Sequence, residues 1–176
     1  MSELKVAIVG LGKMGLVHAS ILNTMPNVEI AGICDKSYLL LRLIKKLFKK
    51  ARAVNDVEKL AELDINSVYV TTPIPGHYPV IKTLFLKEIT ENVFVEKTLT
   101  SDIDKSEELC NLVQDLNGIS MVGYMKRFAV TFAKAKSVLE EGVLGKPVYF
   151  NAYAYSSNFY MTQQPSKTSA KSLPPT

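Results

Sequence analysis

Residues 6–15 read VAIVGLGKMG. Four apolar, mostly β-branched residues, as expected of a strand buried on both faces, run straight into glycines spaced G-x-G-x-x-G at Gly10, Gly12 and Gly15. Glycine costs about 0.5–1 kcal/mol relative to alanine inside a regular element, so three in so short a window mark backbone that something must approach closely. A buried strand, a glycine turn and a helix in immediate succession open a β-α-β unit, and few architectures begin that way.

The rest of the chain repeats the alternation. Leu4–Gly10 is a predicted strand, and Met14–Met25 a helix with Met14, Val17, Ile21 and Met25 on one apolar stripe. Val28–Asp35 reads as the second strand, Arg52–Val54 as a short third, and a helix opens at Asp56. Ser67–Thr72 is the fourth strand. The turn PIPGHYP then leads to a helix over Tyr78–Lys87, and Asn92–Glu96 is the fifth strand. A helix starts at Ser101 with the capping spacing Ser101-x-x-Asp104, buries Leu109, Leu112, Val113 and Leu116, and stops at Gly118. Ile119–Gly123 is the sixth strand, and Arg127–Glu141 a helix with Phe128, Phe132, Ala135 and Leu139 on one face. Alternation of this kind predicts an α/β fold, a Rossmann-type doubly wound parallel sheet with right-handed crossovers.

Composition sets the limits. With 176 residues, 47% hydrophobic and 22% charged, one core is expected rather than two full ones. Cys34 and Cys110 lie in apolar stretches without a C-x-x-C partner, so both are expected to be buried thiols, and no metal site is expected. No apolar run reaches membrane-spanning length, and MSELKVAIVG lacks the features of a signal peptide, so the expected compartment is the cytoplasm. The net charge of +4 gathers in one segment, where Lys36, Arg42, Lys45, Lys46, Lys49, Lys50 and Arg52 occur without an acid. There Leu40, Leu41, Leu43, Ile44, Leu47 and Phe48 recur at helical spacing, giving an amphipathic helix with a solvated basic face. Neither a recognition motif nor interleaved aromatics supports nucleic acid as a partner.

The glycine turn has an acidic counterpart: Asp35 ends the second strand 20 residues beyond Gly15. In that setting Gly10 permits the tight turn, Gly12 lets main chain approach a pyrophosphate, and Gly15 lets the helix sit close to the strand. The helix starting near Lys13 and Met14 aims free amides at the phosphates. Asp35 suits ribose hydroxyls and favours NAD over NADP, although Lys36 and Ser37 beside it could shelter a 2′-phosphate. His18 is expected to be structural, since no charged or histidine neighbour is evident in sequence. On the residues alone, Lys97 reads as a surface lysine at a strand end.

The stretches VAIVGLGKMGLVHAS, CDKS, VTTPIPGHYPV, VFVEKTLTSD and MVGYMKRF resemble, in order and spacing, the Gfo/Idh/MocA family of glucose-fructose oxidoreductase and inositol dehydrogenase over roughly residues 4–155. The resemblance implies an NAD(P)-dependent oxidoreductase acting on a sugar, cyclitol or related polyol. It places Thr71, Thr72, Pro73 and His77 beside the ribose and nicotinamide, with a helix-capping turn histidine an equal reading of His77. It makes Glu96 and Lys97 the start of a Glu-Lys-Pro motif whose lysine helps bind substrate and move its hydroxyl proton, and it makes Arg127 a substrate-side candidate.

Position 98 is threonine where the family usually has proline, so the Lys97–Thr98 bond is expected to be trans. The family's substrate-domain Asp and His have no counterpart here, since no His follows His77 and no Asp follows Asp115. The expected organisation is a nucleotide-binding domain over 1–123, then a linking helix and the first strand of an incomplete substrate domain over 124–160, and a disordered tail over 161–176. That strand, Lys146–Tyr155, alternates Val148, Phe150, Ala152 and Ala154 with Tyr149, Asn151, Tyr153 and Tyr155, and an uncovered apolar edge predicts homo-oligomerisation through it. The leading reading is an enzyme. The alternative is a catalytically silent dinucleotide-binding module or redox sensor.

Overall fold

A computed structural model describes residues 3–114, 116–151 and 153. The described residues divide into two units, one up to Ala129 and a second from Val130. The first unit holds a six-stranded parallel sheet in the order β3-β2-β1-β4-β5-β6. The strands are β1 (Leu4–Val9), β2 (Val28–Cys34), β3 (Arg52–Val54), β4 (Ser67–Val70), β5 (Val93–Glu96) and β6 (Ser120–Gly123). This is the doubly wound Rossmann order, which reverses direction between β1 and β4 and leaves a crevice at the strands' carboxyl ends.

Period-2 alternation divides the core. From β1, Val6 and Ile8 join the cluster beneath the helices α1 (Lys13–Thr24) and α2 (Tyr38–Ile44). Ala7 and Val9 join the cluster on the opposite face, which also draws on α3 (Ile74–Leu86) and α4 (Ile103–Gln114). Val6, Ala7 and Ile8 are fully buried, and each buried Val or Ile contributes roughly 1.5–3 kcal/mol, so β1 anchors both halves. No helix among the described residues is long and apolar enough to cross a membrane.

Several sequence expectations need correction. The buried face of α1 is Gly15, Ala19 and Leu22, while Met14, Val17, Ile21 and Met25 are 41–52% exposed. Small residues let the helix lie close to the sheet, and the bulkier stripe turns outward. The basic helix stops at Ile44 instead of continuing to Phe48. Lys45/Lys49 and Lys46/Lys50 would be like-charge pairs at i,i+4, each unfavourable by about 0.2–0.5 kcal/mol, and Lys45 Nζ instead donates to the carbonyls of Lys49 (2.6 Å) and Ala51 (2.5 Å). Asp56 caps a 3-10 helix, Val57–Glu62.

Helix α3 begins at Ile74, so PIPGHYP is helix from its second residue on rather than turn; Pro75 falls in the first turn, whose amides have no helical partner to lose. The α4 cap is Asp102, whose Oδ1 accepts from the Lys105 amide at 3.3 Å, rather than Ser101. Cys110 is exposed, because it follows buried Leu109 around the helix by one residue. Arg127 lies in a 3-10 turn, Met125–Phe128, and α5 spans Val130–Glu140. No residue of α5 is buried, and Phe132 and Leu139 of the expected stripe are 54% and 44% exposed. Residues 146–151 and 153 form no strand, contrary to expectation, since a strand needs a ladder partner and the described residues supply none there. The remaining strand positions and the tail lie outside the described residues.

Candidate functional site

At the end of β1 the chain turns on Gly10, whose φ of +95° is open to glycine and strained for other residues. The turn is pinned from two sides: the Gly10 amide donates to the Cys34 carbonyl at 2.8 Å, and the Thr71 hydroxyl donates to the Gly10 carbonyl at 2.6 Å. A Cβ on Gly15 would stand 1.9 Å from that same carbonyl, so α1 can start this close to β1 only with glycine there. Gly12 differs. A Cβ there would meet nothing within 4 Å. Gly12 is also the N-cap of α1 and offers no side-chain cap, so the first-turn amides of Lys13, Met14 and Gly15 have no partner within the helix.

Asp35 follows β2 beside the turn. Its Oδ2 accepts from the Leu11 amide at 2.7 Å and its Oδ1 from the Ser37 amide at 2.8 Å, which fixes the carboxylate in the crevice and leaves further lone pairs free. Lys36 next to it is exposed. Cys34, at the end of β2, is buried, and burial, with Asp35 and Asp56 adding to it, pushes its thiol up to about 12.

Across the reversal point, Thr71 is buried, Pro73 caps α3, and Thr72 Oγ1 is a buried side-chain oxygen without a hydrogen-bond partner. Thr72 Oγ1 lies against Gly76 of α3, where a Cβ on Gly76 would stand 2.9 Å from it. His77, in the first turns of α3, is 1% exposed, with Nε2 2.7 Å from the Thr72 carbonyl and Nδ1 2.8 Å from the Thr98 carbonyl. At the end of β5, Glu96 Oε1 lies 2.8 Å from His18 Nε2, and Glu96 Oε2 accepts from the Lys97 amide at 3.2 Å. This corrects the view of His18 as lacking a charged neighbour; its partner is 78 residues away, beyond the reach of local spacing. The Lys97–Thr98 bond is cis rather than trans, the preference of an isolated non-proline bond being overridden by the tertiary setting of the loop after β5.

The Lys97 side chain is exposed. Arg127, also exposed, follows β6, the strand paired with β5. Gly10, Gly12, Lys13, Met14, Gly15 and Asp35 thus lie about the β1–α1 turn, and Thr71, Thr72, Pro73, His77, Glu96 and Lys97 at and after the ends of β4 and β5, with Thr71 and His77 buried. Sequence reasoning missed the His18–Glu96 pair and the Thr71 hydroxyl's hold on the glycine turn. Neither leaves a local pattern.

Residues 4–124 match the Gfo/Idh/MocA family model, described as an oxidoreductase family with an NAD-binding Rossmann fold. The chain is 27% identical over 153 residues to scyllo-inositol 2-dehydrogenase (NAD(+)) of Bacillus subtilis, covering 86% of this chain and 44% of the relative. It is 31% identical over 151 residues to inositol 2-dehydrogenase of Mycolicibacterium smegmatis, covering 84% and 43%. Among solved structures, scyllo-inositol dehydrogenase from Lactobacillus casei with bound NAD(H) and scyllo-inositol superposes with a TM-score of 0.75 at 25% identity, covering 82% of this chain and 43% of that one. The chain therefore spans less than half the length of these relatives.

Proposed function

Because the chain belongs to the Gfo/Idh/MocA family of oxidoreductases with an NAD-binding Rossmann fold, we propose that it serves in hydride transfer between NAD and a cyclitol or related polyol. The observation that carries this reading is the open space at Gly12, the N-cap of α1, beside the fixed carboxylate of Asp35. The first-turn amides of α1 hold the pyrophosphate, helped by the positive end of the helix dipole. Asp35 accepts from the adenosine ribose hydroxyls, and its charge repels a 2′-phosphate, favouring NAD over NADP. Thr71, Thr72, Pro73 and His77 border the nicotinamide side. When bound, the dinucleotide supplies the hydride acceptor. Lys97 holds the substrate hydroxyl and takes its proton as the carbon–hydrogen bond breaks, and Arg127 steadies the polyol from the adjacent strand end.

The names of the relatives reported above support the polyol class: two are inositol dehydrogenases, and the superposed structure holds scyllo-inositol and NAD(H). The test is NAD reduction, followed in the reduced-nicotinamide absorbance band, across a panel of inositols and sugars. Lys97→Ala is expected to lower turnover by about 10²–10⁴-fold, the range supplied by a positioned acid-base group, with NADH affinity retained. Turnover unaffected by Lys97→Ala would overturn its role. Tight NADH binding, without reduction of NAD by any polyol, is the outcome expected of a silent module.

A further inference from the structure

Lys97 stands between two residues that are each engaged by a histidine, and the chain has only two histidines. Resting on the reading of Lys97 as the substrate-side amine, we propose that His18 and His77 are positioning residues that fix its main chain relative to the glycine turn and to the end of β4.

The Lys97 side chain is exposed and makes no hydrogen bond or ion pair among the described residues, so its placement depends on the backbone that carries it. On one side that backbone is tied to Glu96, whose two oxygens divide their work: Oε2 takes the Lys97 amide at 3.2 Å, and Oε1 meets His18 at 2.8 Å. His18 lies on α1, three residues past Gly15, on the same rigid helix whose first turn faces the pyrophosphate position. Its ring is packed against Phe94 and Tyr69, with centroids 5.0 and 5.8 Å away, which limits its orientation. The pair is well shielded, with side chains 18% and 16% exposed, so the contact is stronger than a surface one.

On the other side, buried His77 stands between the carbonyls of Thr98 and Thr72. Carbonyls only accept, so the ring must supply the hydrogen; a neutral ring serves one carbonyl at a time and a doubly protonated ring serves both. A neutral ring therefore ties one of these carbonyls to α3 by a hydrogen bond and lies packed against the other, so the buried ring sits between the loop after β5 and the end of β4. Two rings therefore connect three separate stretches of chain around one amine. Catalysis is sensitive to such placement, since a 1 Å displacement can cost about 10²-fold in rate.

Amide hydrogen exchange of the 176-residue chain, resolved by NMR, tests the proposal. His18→Leu keeps apolar volume and removes the donor; His18→Gln keeps a donor. The Leu variant is expected to speed exchange of the Lys97 amide by about 5- to 10-fold, as loss of one shielded hydrogen bond should, while the β1 amides keep wild-type rates. The Gln variant is expected to restore most of that protection. In the wild type, a His77 ring N–H is expected to exchange slowly with water.

Equal Lys97 exchange in the Leu variant and the wild type would overturn the proposal. So would a rise shared equally by β1 and not rescued by Gln, or a His77 ring that exchanges as freely as an exposed one. Failure of the functional reading looks different: NADH would then shift no amide in the stretch from Gly10 to Gly15, whatever the exchange pattern at Lys97.

Discussion

Gly12 and Gly15 stand three residues apart and meet opposite demands. A Cβ on Gly15 collides with the Gly10 carbonyl, so Gly15→Ala should destabilise the fold by about 1–3 kcal/mol or more, as overpacking does, read from denaturant unfolding. Gly12 faces open space, so Gly12→Ala should cost about 1 kcal/mol or less, the scale of a changed helix cap. Equal costs would contradict this division. The cysteines separate in the same way. The Cys34 thiol, raised to about 12 chiefly by burial, carries almost no thiolate near neutral pH, whereas Cys110 is exposed. Iodoacetamide near pH 8 should therefore label Cys110 first and Cys34 only on unfolding; parallel labelling would contradict the assignment. At this scale Gly10, Gly12, Gly15 and Asp35 were legible because their pattern is local and chemically specific. The pairing of His18 with Glu96 was not, because it joins a helix to a strand end 78 residues away.

Among the elements, strand positions followed from apolar runs, since β1 and its neighbours are buried on both faces and admit little else. Helix faces and ends were less legible. Apolar periodicity identified the stripe of Met14, Val17, Ile21 and Met25, but the sheet selected the small residues Gly15 and Ala19 for closeness. Lysine repulsion shortened α2, and proline tolerance in a first turn lengthened α3. Helices α3 and α4 are also joined by a polar cluster: Tyr78 donates to Glu108 at 2.5 Å, and Lys82 donates to Glu108 at 2.6 Å and to the Tyr78 hydroxyl at 3.0 Å. The Lys82 bond first, then the Tyr78 bond, holds the Glu108 carboxyl below the usual carboxylate range. Its contribution to stability is therefore present above that range and lost as pH falls through the lowered value. Glu108→Gln should lower Tm slightly near neutral pH, the cluster being partly exposed, and match the wild type in strong acid. A Tm difference that persists in strong acid would contradict the cluster's role.

For the molecule as a whole, the order of the sheet decides where a ligand can sit, because β1 and β4 part company at their carboxyl ends. The glycine turn, Asp35, the end of β4 at Thr71 and the segment bearing Lys97 all follow carboxyl ends of strands, although they come from four separate stretches of sequence. Alternation of strands and helices made this architecture readable in advance. The strand expected over 146–155 was not found in the described residues, because alternating side chains specify a strand only when a neighbour completes the ladder. The most direct test of the account is a titration of NADH fluorescence with the wild-type chain and with Gly12→Val. The account predicts saturable binding by the wild type and at least about a 10-fold loss in Gly12→Val, with Gly12→Val still folded by circular dichroism, since the valine side chain would occupy the space reserved for phosphate. Absence of saturable binding, or equal affinity in the two proteins, would contradict it.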